Sequence, residues 1–179
     1  MKVFQKTMYY SMLCMALIFT ACNKDDSMEE EEQGGANTSE FFTAKVDGAD
    51  FAASNDPATL IGGQKNTANG STVLTCQGST NDGNAINFNI LDYNGPGTYT
   101  TGDALANPNL IQYLEINPVA GWGSNLDTAA VGGLRPGSIE ITKDENGVVE
   151  GTFSFEGYNA DDMTTKNVTE GRFKVVMDN

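Results

Sequence analysis

Ala85-Ile86-Asn87-Phe88-Asn89-Ile90-Leu91-Asp92-Tyr93 sorts its side chains onto two faces: Ile86, Phe88 and Ile90 on one, Asn87 and Asn89 on the other. A pleated chain places every second residue on the same side, so this spacing predicts a strand with one face on a core and one in water. The same period of two recurs on either side of it. Upstream, Phe42, Ala44 and Val46 share a face; downstream, Ile139 and Ile141 oppose Glu140 and Thr142, and Phe153 and Phe155 alternate with Thr152 and Ser154. Residues 72–77, 110–117 and 172–177 complete the set of predicted strands. Between the runs stand residues that tolerate a positive φ: Asp47-Gly48, Asn81-Asp82-Gly83-Asn84, Asn94-Gly95-Pro96-Gly97 and Glu145-Asn146-Gly147. Asp47-Gly48 and Asn146-Gly147 each lie between two alternating runs, the strongest short-range hairpin signal.

Beyond the first 22 residues no stretch keeps helical periodicity for ten residues with caps. Many short strands separated by turn clusters point to an all-β fold: a single antiparallel β-sandwich, with a lipocalin-like small β-barrel as the alternative. Two segments resist assignment to strands, 100–109 and 118–137. Loops of that length are uncommon unless they serve a function or are disordered. The second is expected to hold a short helical turn around 126–131.

The N-terminus reads as an address. Lys2 and Lys6 precede an uncharged, mostly apolar run over 7–20, the pattern of a secretory signal. That run is shorter than the ~20 residues a spanning helix needs. Phe19-Thr20-Ala21-Cys22 resembles the lipobox of bacterial lipoproteins, which implies a signal peptide over 1–21 and acylation of Cys22. Several acyl chains, at about 0.8 kcal/mol per buried methylene, make such an anchor effectively permanent. The acidic stretch that follows, through Glu40, is nearly free of aliphatic residues and is expected to be a disordered tether over 22–40. Within it Lys24-Asp25-Asp26 resembles the acidic signal that sends Bacteroidota-type lipoproteins to the outer face of the outer membrane. The folded domain is then 41–179, anchored to the membrane through lipid and displayed at the cell surface.

The whole chain carries a net charge of −14, and removal of the two signal lysines makes the exported form −16. About −10 of that belongs to residues 41–179. Such a surface argues against nucleic-acid partners and against docking on anionic lipid by charge. Of the 3 cysteines, Cys14 leaves with the signal and Cys22 carries lipid. Cys76 remains alone, sharing a strand face with Leu74 as a buried thiol. The domain must therefore be held by its core rather than by disulfides.

The chain has 0 histidines, which removes His-dependent nucleophilic triads and most zinc sites. No cofactor is expected. Calcium is the metal that the acidity would suit, through Asp144-Glu145-Asn146-Gly147 or Asp161-Asp162, although neither follows a known loop pattern. Asp103, Glu115, Asp127, Glu140 and Glu150 supply carboxylates for a two-acid hydrolase, but they read as polar strand faces and loops. Trp122, between Gly121 and Gly123, is the sole tryptophan. It either stacks on a sugar ring, with Tyr99, Tyr113 and Tyr158 adding to the surface, or folds inward as core. Asp26-Ser27-Met28 and Asp127-Thr128-Ala129 match the loose O-glycosylation pattern of Bacteroidota-type exported proteins.

Ala44-Lys45-Val46-Asp47-Gly48, Gly97-Thr98-Tyr99, Gly137-Ser138-Ile139-Glu140-Ile141-Thr142, Gly151-Thr152-Phe153-Ser154-Phe155 and Val168-Thr169-Glu170-Gly171-Arg172-Phe173, in that order, resemble a family of uncharacterised Bacteroidota lipoproteins. The resemblance implies a lipid-anchored β-sheet domain and brings no catalytic or binding residues. The resulting expectation is a surface-displayed, non-catalytic binding or accessory lipoprotein that engages a glycan or an envelope protein. The alternatives are a structural envelope component that pairs through a strand edge, and a carboxylate hydrolase.

Overall fold

The computed structural model describes residues 39–53 and 60–178. The signal peptide, the tether up to residue 38, Cys22, Lys24, Asp25 and Asp26 lie outside the described residues. Residues Asn37–Asn179 form one compact unit. Among the described residues its strands are β1 Phe41–Val46, β2 Ala49–Ala53, β3 Ile61–Ala68, β4 Ser71–Ser79, β5 Ala85–Ile90, β6 Gly97–Thr101, β7 Leu110–Ile116, β8 Val119–Ser124, β9 Gly137–Glu145, β10 Val148–Asn159 and β11 Thr164–Asp178, with one helix, α1, at Leu126–Val131.

All of these strands belong to one sheet, in the order β2-β1-β11-β3-β4-β5-β7-β8-β10-β9-β6. A further ladder joins β10 to β11, so the pairings run from β11 through β3, β4, β5, β7, β8 and β10 back to β11. The expectation of a purely antiparallel arrangement is corrected at one place. β11 and β3 pair in parallel through Met177–Gly63 and Asp178–Gln64. The contact is short because Gly63 has no side chain there: a Cβ would overlap the Met177 methyl group.

The hairpins form where the turn residues allow. Asp47 and Gly48 take φ of 50° and 85°, and Asn146 and Gly147 take 53° and 75°. Two successive residues of positive φ match the right-handed twist of the strands they join. Asn69-Gly70 makes the same turn between β3 and β4. The helical turn expected around 126–131 is α1, capped by the Asn125 side chain on the Asp127 and Thr128 amides.

Three strands escape the alternation pattern. β3 reads Ile-Gly-Gly-Gln-Lys-Asn-Thr-Ala, β6 is short and rich in threonine, and β8 carries two glycines. None shows an apolar face in sequence, because each is placed by its neighbours' ladders. β8 therefore occupies part of a segment read as loop, and β11 begins well before the predicted run at 172–177.

The core is the inward face of both halves of the circuit. Phe42 of β1 is fully buried, with its ring centre 5.2 Å from that of Phe153, 5.9 Å from Phe173 and 6.4 Å from Phe88. Gly78 of β4 makes room for it, since a Cβ there would lie 2.5 Å from the Phe42 Cβ. Leu74, Cys76, Ile86, Ile90, Ile111, Ile139 and Val149 are likewise fully buried. The alternation read at 85–93 thus identifies core residues correctly.

Candidate functional site

Four connections gather at one end of the sheet: the Asp47-Gly48 turn, residues 80–84 between β4 and β5, the β7–β8 turn at Asn117-Pro118, and residues 160–163 between β10 and β11. Contacts between them define that end. Lys166 reaches Asp47 at 3.3 Å and Glu115 at 3.4 Å. The amide of Asp47 donates to the Asn167 carbonyl, and the Asn167 amide donates to Asp47 Oδ1, both at 2.9 Å. Ile116 lies over Gly83, where any added Cβ would collide with it.

Among these connections is a cleft of about 350 Å³ lined by Asp47, Asp50, Asp82, Tyr113, Glu115 and Lys166 with their neighbours. Tyr113 and Phe51 line its inner side, and Trp122 packs behind Tyr113. The Tyr113 and Trp122 rings stack with centres 5.9 Å apart, and Phe51 meets Tyr113 edge-on at 6.3 Å. The Tyr113 hydroxyl donates to Glu115 Oε1 at 3.1 Å. Burial, and then the Glu115 carboxylate, push this phenol up to about 12. Burial pulls the Lys166 ammonium down, but its bonds and charge contacts with Asp47 and Glu115 outweigh that and hold it above the ordinary lysine range.

Of the four aromatic residues nominated from sequence, the fold brings two together. Trp122 sits in β8 rather than in a loop and is only 5% exposed. Its indole N–H donates to Thr164 Oγ1 at 2.8 Å, and Lys166 Nζ stands 5.0 Å above its ring. The ring is buried and engaged by Tyr113 and Lys166, so it offers no platform for a sugar. The flanking glycines serve close packing of strands instead of mobility. At Gly157 of β10, opposite, a Cβ would stand 2.7 Å from the Trp122 carbonyl oxygen. Tyr99 lies elsewhere, 5.6 Å from Tyr93, with its hydroxyl bonded to the Gly95 carbonyl and Asn94. Tyr158 pairs with Gly123 and Thr165 on β10 and belongs to neither cluster.

The exposed apolar residues at this end had no sequence signal. Val119 is 87% exposed, Met163 77% and Ile116 56%. All three sit at or beside hairpin tips, where alternation does not say which side meets water.

The other nominated residues are held by local partners. Asp144 takes the Lys65 ammonium and, at 2.8 Å, the Tyr93 hydroxyl. Asp162 accepts from the Thr164 amide and hydroxyl. Among the described residues no three acidic, cysteine or histidine side chains converge as metal ligands. Asp103 is bonded by Thr100 and Asn107, Glu150 faces Lys143 and Lys174, Asp127 lies in the first turn of α1, and Glu140 points outward from β9. The O-glycosylation reading at Thr128 is corrected. Its hydroxyl is buried and bonded to the Gly123 carbonyl at 2.6 Å, which leaves no room for a sugar. Cys76 is fully buried, and that burial drives its thiol far above the ordinary range. Among the described residues no helix is long and apolar enough to cross a membrane.

A family model described as a domain of unknown function matches residues 38–177. No curated protein and no solved structure matches the chain.

Proposed function

The chain belongs to the DUF6252 family of domains of unknown function, and on that premise we propose that it is a lipid-anchored, surface-displayed module of the outer membrane that binds another envelope protein without catalysis. The observation that carries the reading is the disposition of β1. Its first residue, Phe41, pairs with Lys174 beside the bond from the Val176 amide to Glu40 Oε1, and its last, Val46, lines the cleft. The two ends of this six-residue strand are ~17 Å apart. The cleft and the exposed Val119, Met163 and Ile116 therefore lie at the end of β1 opposite to its first residue.

The lipobox at Cys22 and the acidic stretch after it support the anchor. Exposed apolar side chains at a tip surrounded by carboxylates suit a protein surface with aliphatic residues in a basic rim. The buried state of Trp122 and Tyr113 removes the support that aromatic stacking would have lent to a glycan at this end.

Two experiments test the proposal. In cells given a labelled fatty acid, Cys22→Ser should lose the label and release the chain from the membrane; label retained by the variant removes the anchor. A photo-crosslinker placed at Val119 of the full chain should trap a protein neighbour, and Met163→Glu should abolish the adduct. A crosslinker at Thr98, on the outer face of β6, should trap none. Equal yields from both positions, or none from Val119, would overturn the binding surface.

A further inference from the structure

The outer face of β9, β10 and β11 carries a second concavity, distinct from the cleft and about 620 Å³ in volume. Its construction follows from the ladder. Thr152 of β10 stands between Glu140 of β9 and Arg172 of β11 in register, and Ser154 stands opposite Ser138. The inward neighbours Ile139, Ile141, Phe153 and Phe173 are all in the core, so these five side chains face out. The floor is low because its residues are short. The wall on the β11 side rises at a bulge, where Glu170 takes φ of 54° and the register with both neighbouring strands shifts.

The five side chains combine complementary hydrogen-bonding chemistry. Among the described residues, the side chains of Ser138, Glu140, Thr152, Ser154 and Arg172 make no hydrogen bond or ion pair with the rest of the chain. The backbones of Glu140 and Arg172 are two strand spacings apart, ~10 Å, and the two side chains are not paired across Thr152. Three hydroxyls that donate and accept, one carboxylate that accepts and one guanidinium that donates are thus held on rigid strands with their hydrogen-bonding capacity unused. Thr98 and Thr43 extend the row at either end, opposite Glu140 and Arg172.

We infer that this concavity is a binding site for a neutral saccharide, whose hydroxyls bridge Glu140 and Arg172 over the Ser and Thr floor. The charges of Glu140 and Arg172 cancel, and Glu170 lies beside the cation of Lys45, so the site has no net attraction for an anion. Its lining joins polar side chains to apolar surface at Phe153, and a sugar offers hydroxyls to the first and C–H faces to the second. The volume lies in the range of small-molecule sites. This site is independent of the protein-binding end, and neither proposal depends on the other.

The test uses the full chain in detergent on an array of short, linear neutral gluco-, manno- and galacto-oligosaccharides, with uronate oligosaccharides alongside. Retention of a neutral oligosaccharide is expected. Arg172→Ala and Thr152→Val should each weaken it about tenfold, the loss of one or two hydrogen bonds to a ligand. The midpoint of unfolding should stay unchanged, since both positions face solvent, and Val119→Asp should bind as the parent does. Retention of uronates alone, of no oligosaccharide, or of neutral ones with undiminished affinity in both variants would overturn the assignment.

Discussion

Lys166 Nζ stands 5.0 Å above the centre of the Trp122 ring while its ammonium spans Asp47 and Glu115. One side chain from β11 thereby ties together β8, the β1–β2 turn and the end of β7. A cation held over an indole and desolvated is worth more than a surface pair.

Replacing Lys166 by Met keeps the aliphatic stem but leaves Asp47 and Glu115 without their cation. Urea unfolding should show a loss of about 1–2 kcal/mol. Trp122→Ala should cost about 3–5 kcal/mol, because it also opens a cavity beside Tyr113. Equal stability of Lys166→Met and the parent would mean that the ammonium merely rests on the ring.

Tyr113 makes stability depend on alkaline pH. Its phenol is raised to about 12 in the fold, above its ordinary value in the unfolded chain. Between those values the unfolded state gives up the proton and the folded state keeps it, so the stabilisation present below pH ~10 drains away as pH rises toward 12. Tyr93, raised by burial and by its bond to Asp144, acts in the same direction. Unfolding measured across this window should show falling stability, and Tyr113→Phe should flatten the profile. An unchanged slope in that variant would exclude Tyr113 as a source.

Two glycines should respond differently to a methyl group. At Gly151 a Cβ would overlap the Glu140 carbonyl and press on the Phe173 ring, so Gly151→Ala should destabilise by about 3 kcal/mol or prevent folding. At Gly48 nothing lies within 4 Å, and only the φ of 85° opposes a side chain. Gly48→Ala should then cost about 1–2 kcal/mol. Thermal melts of the pair would decide; similar losses would show that β9 moves aside at Gly151.

Asp144 closes the opposite end of the domain by holding Lys65 of β3 and Tyr93 after β5. Its side chain is 16% exposed and that of Lys65 is 30% exposed. Asp144→Ala leaves a half-buried ammonium and a phenol without their acceptor, a loss of about 2–3 kcal/mol. The double variant Lys65→Met with Asp144→Leu should recover part of it. With Lys65→Met and Asp144→Leu also measured singly, additive losses would mean the two residues are not coupled.

The strands that bury an apolar face could be read directly, and the reason is local. Ile86, Phe88 and Ile90 are inward because every second residue of any pleated strand is. The hairpins at Asp47-Gly48 and Asn146-Gly147 were equally legible, since a positive φ is a property of the residues in the turn. β3, β6 and β8 were not, for the opposite reason. β3, with Gly62, Gly63, Gln64 and Asn66, becomes a strand by pairing with β4 over eight residues. Trp122 shows the same limit: Gly121 and Gly123 read alike as a mobile loop or as clearance for a neighbouring strand, and Gly157, far along the chain, decides which.

From the amino-acid order alone followed the all-β character, most strands and their inward faces, two hairpin turns, the helical turn at α1, and the burial of Cys76 in the core. These depend on spacing, on conformational preferences of single residues and on charge. Tertiary structure alone decided the strand order, the parallel contact of β11 with β3, the burial of Trp122 beside Tyr113 and Lys166, and the outward row of Glu140, Thr152 and Arg172. Those features depend on which distant strands share a ladder, and a ladder is set by the packing of many side chains at once, which no single stretch of the chain contains.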